Sequence, residues 1–254
     1  MSTLSRIMAY IGQNNPNPIR VACIGDSLTQ LTEYPYDLMN KLGDNYALRN
    51  FGVSSTTITL VSTTSYMNTT AFQNALRFNP GIVIIMLGTN DAHYTLFQYN
   101  SAFVGDYITL IQAFQKLPSN PRIWLVLPPP VFSNPTWYIS PEYFEQTILP
   151  GIKQVANKTN LPVVDVYSLL IDYPEYFPDG IHPKETTDNW GNEPAAQIIA
   201  TAVHKAILTA TLNVGFPHKV EPRAGLDPAA CCLQGSRSTG LSYRGNATYF
   251  YNLT

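Results

Sequence analysis

Five short apolar runs, at residues 19–24, 47–51, 82–87, 123–127 and 163–166, recur along this chain with helix-like segments between them. The runs are continuously apolar rather than alternating, which predicts strands buried on both faces. The helical segments are 34–42 (with Leu38, Met39 and Leu42 on one stripe), 70–77, 103–117, 142–157 and 194–208. Strands alternating with helices predict an α/β protein, a parallel doubly wound sheet covered on each side. Right-handed crossovers bring several strand ends to one rim, and in open sheets of this kind ligands bind at that rim.

The first run ends abruptly in Gly25-Asp26-Ser27-Leu28. A serine hydroxyl therefore stands at the carboxyl edge of a buried strand where a helix begins, which makes Ser27 a candidate nucleophile. Bulk properties narrow the rest. At 254 residues, 45% hydrophobic and 13% charged, with net charge −2, the chain has no basic field for nucleic acid. It has no apolar run long enough to span a bilayer. Residues 1–13 carry Leu4, Ile7, Met8 and Ile11 at helical spacing, with neither a continuous apolar stretch nor a small-residue cleavage site. The expectation is a cytoplasmic protein, unless a leader has been trimmed. Of three cysteines, Cys23 reads as a small core residue, and Cys231-Cys232 is a poor disulfide framework. Neither Cys-x-x-Cys nor His-Glu-x-x-His occurs, so no zinc site is written here and no cofactor is expected.

A serine hydroxyl needs a base, and the base needs a third group to orient it. Among four histidines, His204 lies on the last helix, His218 in the irregular tail, and His93 beyond the third strand. His182 is the strongest candidate, in Phe177-Pro178-Asp179-Gly180-Ile181-His182-Pro183. Asp179, three residues earlier, can fold back onto one ring nitrogen and leave the other facing a serine. Donors for a developing oxyanion are read at two further strand ends: Gly52, where a backbone N–H can approach a ligand, and the amide of Asn90. Gly52 also reads as a plain turn residue, and Asn90 as a helix cap.

Taken together, Gly-Asp-Ser-Leu, then Gly52, then Gly88-Thr89-Asn90-Asp91, then Asp179-x-x-His182 resemble the SGNH hydrolases, also called GDSL esterases. The resemblance covers roughly residues 18–210. It implies a three-layer flavodoxin-like α/β/α fold on a five-stranded parallel sheet, and metal-independent ester hydrolysis through an acyl-enzyme. It further implies Ser27 as nucleophile, His182 as base and then acid, and Asp179 as orienting carboxylate. The oxyanion hole would comprise the N–H groups of Ser27 and Gly52 with the Asn90 amide. The runs through 79–91 and 124–130 look like the carbohydrate O-acetylesterase branch, which implies short acetyl esters and O-acetylated sugars as substrates. One departure is the stretch from Lys184 to Gly191 before the last helix, which reads as a longer rim loop.

Substrate contacts are expected from Asp26 and from the aromatics Tyr94, Trp137, Tyr138 and Trp190. The proline-rich 128–141 loop reads equally as an aromatic wall or as a rigid connector. The domain is expected to span 1–211, followed by an irregular 212–254 extension that is disordered, hairpin-forming or not native to the protein. The expected partner is a small-molecule ester, with no nucleic acid and no membrane span; homo-oligomerisation is left open. The competing readings are an acyl thioesterase or lysophospholipase with the same triad, a flavodoxin-like protein cradling phosphate at residues 25–29 without catalysis, and a sugar-binding module without turnover.

Overall fold

All five apolar runs become strands of one parallel sheet: β1 (Ile19–Gly25), β2 (Tyr46–Asn50), β3 (Ile82–Met86), β4 (Arg122–Leu127) and β5 (Val163–Asp165), in the order β2-β1-β3-β4-β5. The computed structural model describes residues 15–133, 136–184 and 194–213, all within the chain's first unit, Met1–Gly215. The expectations for 212–254 and for Cys231-Cys232 and His218 lie outside the described residues, apart from the end of the last helix. Register runs evenly across the sheet, with Cys23 opposite Asn50 on one side and Ile84 on the other, and Ile84 opposite Trp124.

Burial on both faces holds for the centre of the sheet and not for its edges. Val21 to Gly25 of β1, every residue of β3, and all of β4 after Arg122 are buried. Each such Val, Ile or Leu contributes roughly 1.5–3 kcal/mol of hydrophobic stabilisation. In β2 only Leu48 is buried, and in β5 only Val164. Edge strands have a neighbour on one side only, and Arg49, Asn50, Val163 and Asp165 remain exposed.

The helices are α1 (Ser27–Gln30), α2 (Tyr34–Leu42), α3 (Thr70–Phe78), α4 (Asn100–Gln115), α5 (Pro141–Tyr143), α6 (Leu149–Thr159), α7 (Tyr167–Leu170) and α8 (Pro194–Asn213). On one face α2 packs against α8; on the other α4 packs against α6, and Phe72 of α3 meets Phe114 of α4 edge-on at 6.0 Å. The Thr69 hydroxyl caps α3 by accepting from the Phe72 N–H, and Asn79 closes it in the left-handed conformation. The single helix expected over 142–157 is divided. Pro150 has no N–H to offer the preceding turn, and the ladder widens into a π-turn at Phe144–Ile148, with the Leu149 N–H reaching Phe144 O.

Strand order places the site. From β1 the chain crosses to β2 on one side and then returns to β3 on the other. The loops leaving β1 and β3 therefore diverge and open a crevice at their carboxyl ends. Ser27 leaves β1 there, and Asn90 leaves β3. Gly25 permits the abrupt turn into α1: a Cβ at that position would collide with the Thr29 hydroxyl and lie 2.8 Å from Met86 O.

Candidate active site

Ser27 is the first residue of α1, so its N–H is one of the helix-start donors that have no intrahelical acceptor. Asp26 caps the turn, its Oδ1 accepting from the Leu28 N–H at 2.9 Å. Ser27 is buried, with 8% of its surface exposed.

His182 arrives from the far end of the domain on a loop shaped by Asp179. The Oδ1 of that carboxylate accepts from the N–H groups of Ile181 (2.9 Å) and His182 (2.7 Å), with Gly180 at φ +81° making the reversal between them. Its Oδ2 lies 2.7 Å from His182 Nδ1, while His182 Nε2 lies 2.8 Å from Ser27 Oγ. Three residues spanning 155 positions of sequence thus stand in one hydrogen-bonded row. Burial alone would raise the Asp179 carboxyl, but the hydrogen bonds from the His182 ring and backbone and from Ile181 N–H outweigh it and hold its pKa below the usual value.

The 128–141 loop braces this arrangement and also borders it. Phe132 donates its N–H to Gly180 O at 2.7 Å and packs its ring on Phe177, stiffening the histidine loop from behind. Further along, Ile139 bridges His93, and the Tyr94 N–H reaches Tyr138 O, so the loop is anchored to the segment after β3. Trp137 lies edge-to-face with the His182 ring at 5.4 Å and stays 41% exposed. The loop is thus a connector that also sets the Trp137 indole beside the imidazole.

The other expected site residues separate. Tyr138, exposed and at φ +53°, lies nearest His93; Tyr94 is exposed and rests on Phe97. His93 directs Nδ1 to the Thr95 hydroxyl at 2.9 Å and caps the short helical stretch that follows. Trp190 lies outside the described residues. Asp26, expected to touch substrate, is 1% exposed with Oδ2 buried and unpartnered; burial removes it from any ligand contact. Gly52 was expected to offer its N–H to an oxyanion, yet that N–H donates to Asn50 Oδ1 at 2.9 Å. A Cβ at Gly52 would collide with the Gln30 backbone, so close packing on α1 accounts for the glycine. Asn90 spends one amide hydrogen on Thr56 O at 3.0 Å and keeps a second.

Asp91 had no assigned role in the sequence reading. It anchors the loop after β2 by accepting from Ile58 N–H, Thr59 N–H and the Thr59 hydroxyl. Two carboxyls, Asp26 and Asp91, are thus buried beneath the crevice. Burial, assisted by the other's charge, lifts Asp26 to about 7; burial lifts Asp91 to about 6 against its own hydrogen bonds. A carboxyl with a raised pKa stabilises the fold most below its unfolded value near pH 4, and that contribution fades as pH rises through the folded pKa. Asp26→Asn should therefore gain stability over the parent, on the order of a few kcal/mol, as pH climbs from about 4 to about 8. Urea unfolding across that range checks this; a difference that does not change with pH would refute it. Among the described residues no three His, Cys, Asp or Glu side chains gather as a metal-binding set, and no helix is long and apolar enough to cross a membrane.

A β2-β1-β3-β4-β5 parallel sheet with serine, histidine and aspartate in one row over its switch point defines a three-layer α/β protein of the SGNH hydrolase class. The chain belongs to the GDSL-like lipase/acylhydrolase family, which it matches over residues 23–187. An acetylxylan esterase of Xylanibacter ruminicola is 35% identical over 211 residues, 73% of this chain; the chain spans 43% of that relative's length. Among solved structures, an aryl esterase of M. smegmatis superposes with TM-score 0.59 at 18% identity, covering 75% of this chain and 98% of that one. An acetylxylan esterase from Geobacillus stearothermophilus, solved as a catalytic mutant, gives 0.58 at 18% identity over 77% and 96%. At that identity the structural likenesses establish the fold.

Proposed function

We propose that the chain is a serine ester hydrolase that cleaves short acetyl esters of carbohydrates through an acyl-enzyme. The observation that carries this is the row Asp179 Oδ2, His182 Nδ1, His182 Nε2 and Ser27 Oγ, with steps of 2.7 and 2.8 Å. Ser27 Oγ attacks the ester carbonyl as His182 Nε2 takes its proton. The negative oxygen is met by the Ser27 N–H, the remaining hydrogen of the Asn90 amide and a third donor. The imidazolium then protonates the departing alcohol, and water activated by the same nitrogen releases the acid. Asp179 stays ionised throughout and holds the ring. The hydrolase domain is read as residues 1–211.

The substrate class follows from what borders His182. Its Nε2 delivers a proton to the leaving alcohol, so a group beside that ring flanks the alcohol rather than the acyl part. Trp137 is that group, and a half-exposed indole suits the C–H face of a sugar ring. The acetylxylan esterase relative supports the same choice. The test is a panel of acetylated xylo-oligosaccharides, p-nitrophenyl acetate and long-chain acyl esters, run on the parent and on Trp137→Ala. Acetylated sugar should be turned over best, and the variant should raise KM for it about fivefold. Preference for long acyl chains, or an unmoved KM, would end the carbohydrate reading.

A further inference from the structure

The loop after β2 holds a residue whose backbone conformation has no explanation in packing. Ser55 sits at φ +62°, in the left-handed region that side chains with a Cβ avoid. It is exposed, so no buried contact rewards the conformation. It occupies the third place of a turn in which both the N–H and the hydroxyl of Thr56 return to Val53 O; glycine is the usual occupant when that place has positive φ.

Both flanks of the turn are pinned, and to different parts of the crevice. On one side the N–H and hydroxyl of Ser54 donate to Gln30 Oε1 at 2.7 and 2.6 Å, fastening the turn to the helix that begins at Ser27. On the other side the Asn90 amide holds Thr56 O, and Asp91 holds the N–H groups of Ile58 and Thr59. Ser55 stands between the serine's helix and the asparagine, and no acceptor for its N–H is found among the described residues. Gly52 is placed differently. Its N–H is closed off by Asn50, whose own amide is tied to Thr29 O at 2.7 Å, and its Cα is pressed on the flank of α1.

We infer that the backbone N–H of Ser55, rather than that of Gly52, is the third donor to the oxyanion at Ser27. The strained turn is then a device that aims one peptide N–H into the crevice, with Gln30 and Asn90 as the residues that hold it there. The inference rests on Ser27 being the nucleophile, and the experiment separates the two.

The full chain, labelled with nitrogen-15 at serine and glycine, is compared by NMR before and after reaction with diethyl p-nitrophenyl phosphate. Ser27 Oγ displaces p-nitrophenolate and leaves a tetrahedral phosphoryl ester with one oxygen at the oxyanion position. The amide protons of Ser27 and Ser55 are expected to move about 1 ppm or more downfield, as when an N–H comes to donate to the strongly polar P=O oxygen of the neutral phosphoryl ester. That of Gly52 should hold its place. A shift at Gly52 with none at Ser55, on protein whose mass shows phosphorylated Ser27, would overturn the inference and leave the nucleophile standing. Failure to phosphorylate Ser27 overturns the nucleophile and the inference together. A second measurement replaces Ser55 by its α-hydroxy acid, turning the amide into an ester without an N–H. We expect kcat to fall roughly 100-fold with KM unmoved; an unchanged kcat would refute the assignment.

Discussion

Ser27→Ala and His182→Ala are each expected to cut kcat for p-nitrophenyl acetate by about 10⁶-fold or to the detection limit, with the double variant little worse than either. The magnitude follows from the row of hydrogen bonds. A serine hydroxyl is a weak nucleophile unless its proton leaves as the bond forms, and the imidazole 2.8 Å away is the group placed to receive it. Once one partner is gone, the other has nothing left to act on, so the losses cannot add. Circular dichroism should show the fold intact, because neither side chain belongs to the apolar core. Substantial turnover by Ser27→Ala would mean the nucleophile lies elsewhere. His93→Ala is the informative control. That ring is engaged with Thr95, so losing it should leave activity largely in place. Activity that survives His182→Ala and dies in His93→Ala would move the base to the end of β3.

Asp179→Asn should cost about 10⁴-fold in kcat while sparing the loop. One carboxylate oxygen accepts the N–H groups of Ile181 and His182, and an amide oxygen can keep both of those bonds. The other faces His182 Nδ1 at 2.7 Å, and there an NH₂ replaces an acceptor. The imidazole must then present its lone pair to the amide and carry its proton on Nε2, so it cannot take one from Ser27. Asp179→Ala would also dissolve the turn and lower the melting temperature at neutral pH. The depressed pKa of Asp179 means that its contribution to stability is present above the unfolded carboxyl value near 4, and is lost as pH falls through the folded one. Comparing kcat and melting temperature for the two variants separates the tautomer effect from the loop effect. Asp179→Asn with near-parental kcat would show that the carboxylate does not set the ring.

How far the chain could be read in advance varied with the range of the forces involved. The strands at the sheet centre were legible because burial on both faces leaves an unbroken apolar run, as in Ile82 to Met86. The edges were over-read: an apolar run does not say how many neighbours its strand will have. Pro150 is plain in the sequence, yet the π-turn it causes depends on where the preceding helix starts, and that is set by the Ser140 cap.

The same division runs through the site. Asp179 and His182 are close in the chain, and the distance between a carboxylate and a ring three residues later is a local matter, so that pair was readable. Gly52 reads two ways because glycine serves close packing as readily as ligand approach, and only the Gln30 backbone beside it shows the close packing. Asn50-Phe51-Gly52 carries a local signal for the packing role, since an asparagine two residues before an N–H is an Asx turn in the making. Nothing local marked Ser55, whose conformation is imposed by Gln30 on one side and by Asn90 and Asp91 on the other.

Sequence by itself determined the alternation of strand and helix, the choice of Ser27, Asp179 and His182 as the residues that the fold brings into one hydrogen-bonded row, and the membership of the chain in its family. These depend on periodicity and on short spacings, which covalent geometry makes predictable. Tertiary structure alone decided which carboxyl is buried, which N–H is already taken, and which aromatic borders the imidazole. Those outcomes turn on contacts between residues dozens of positions apart, where a shift of a few ångströms changes a hydrogen bond into a gap, and no local pattern records them.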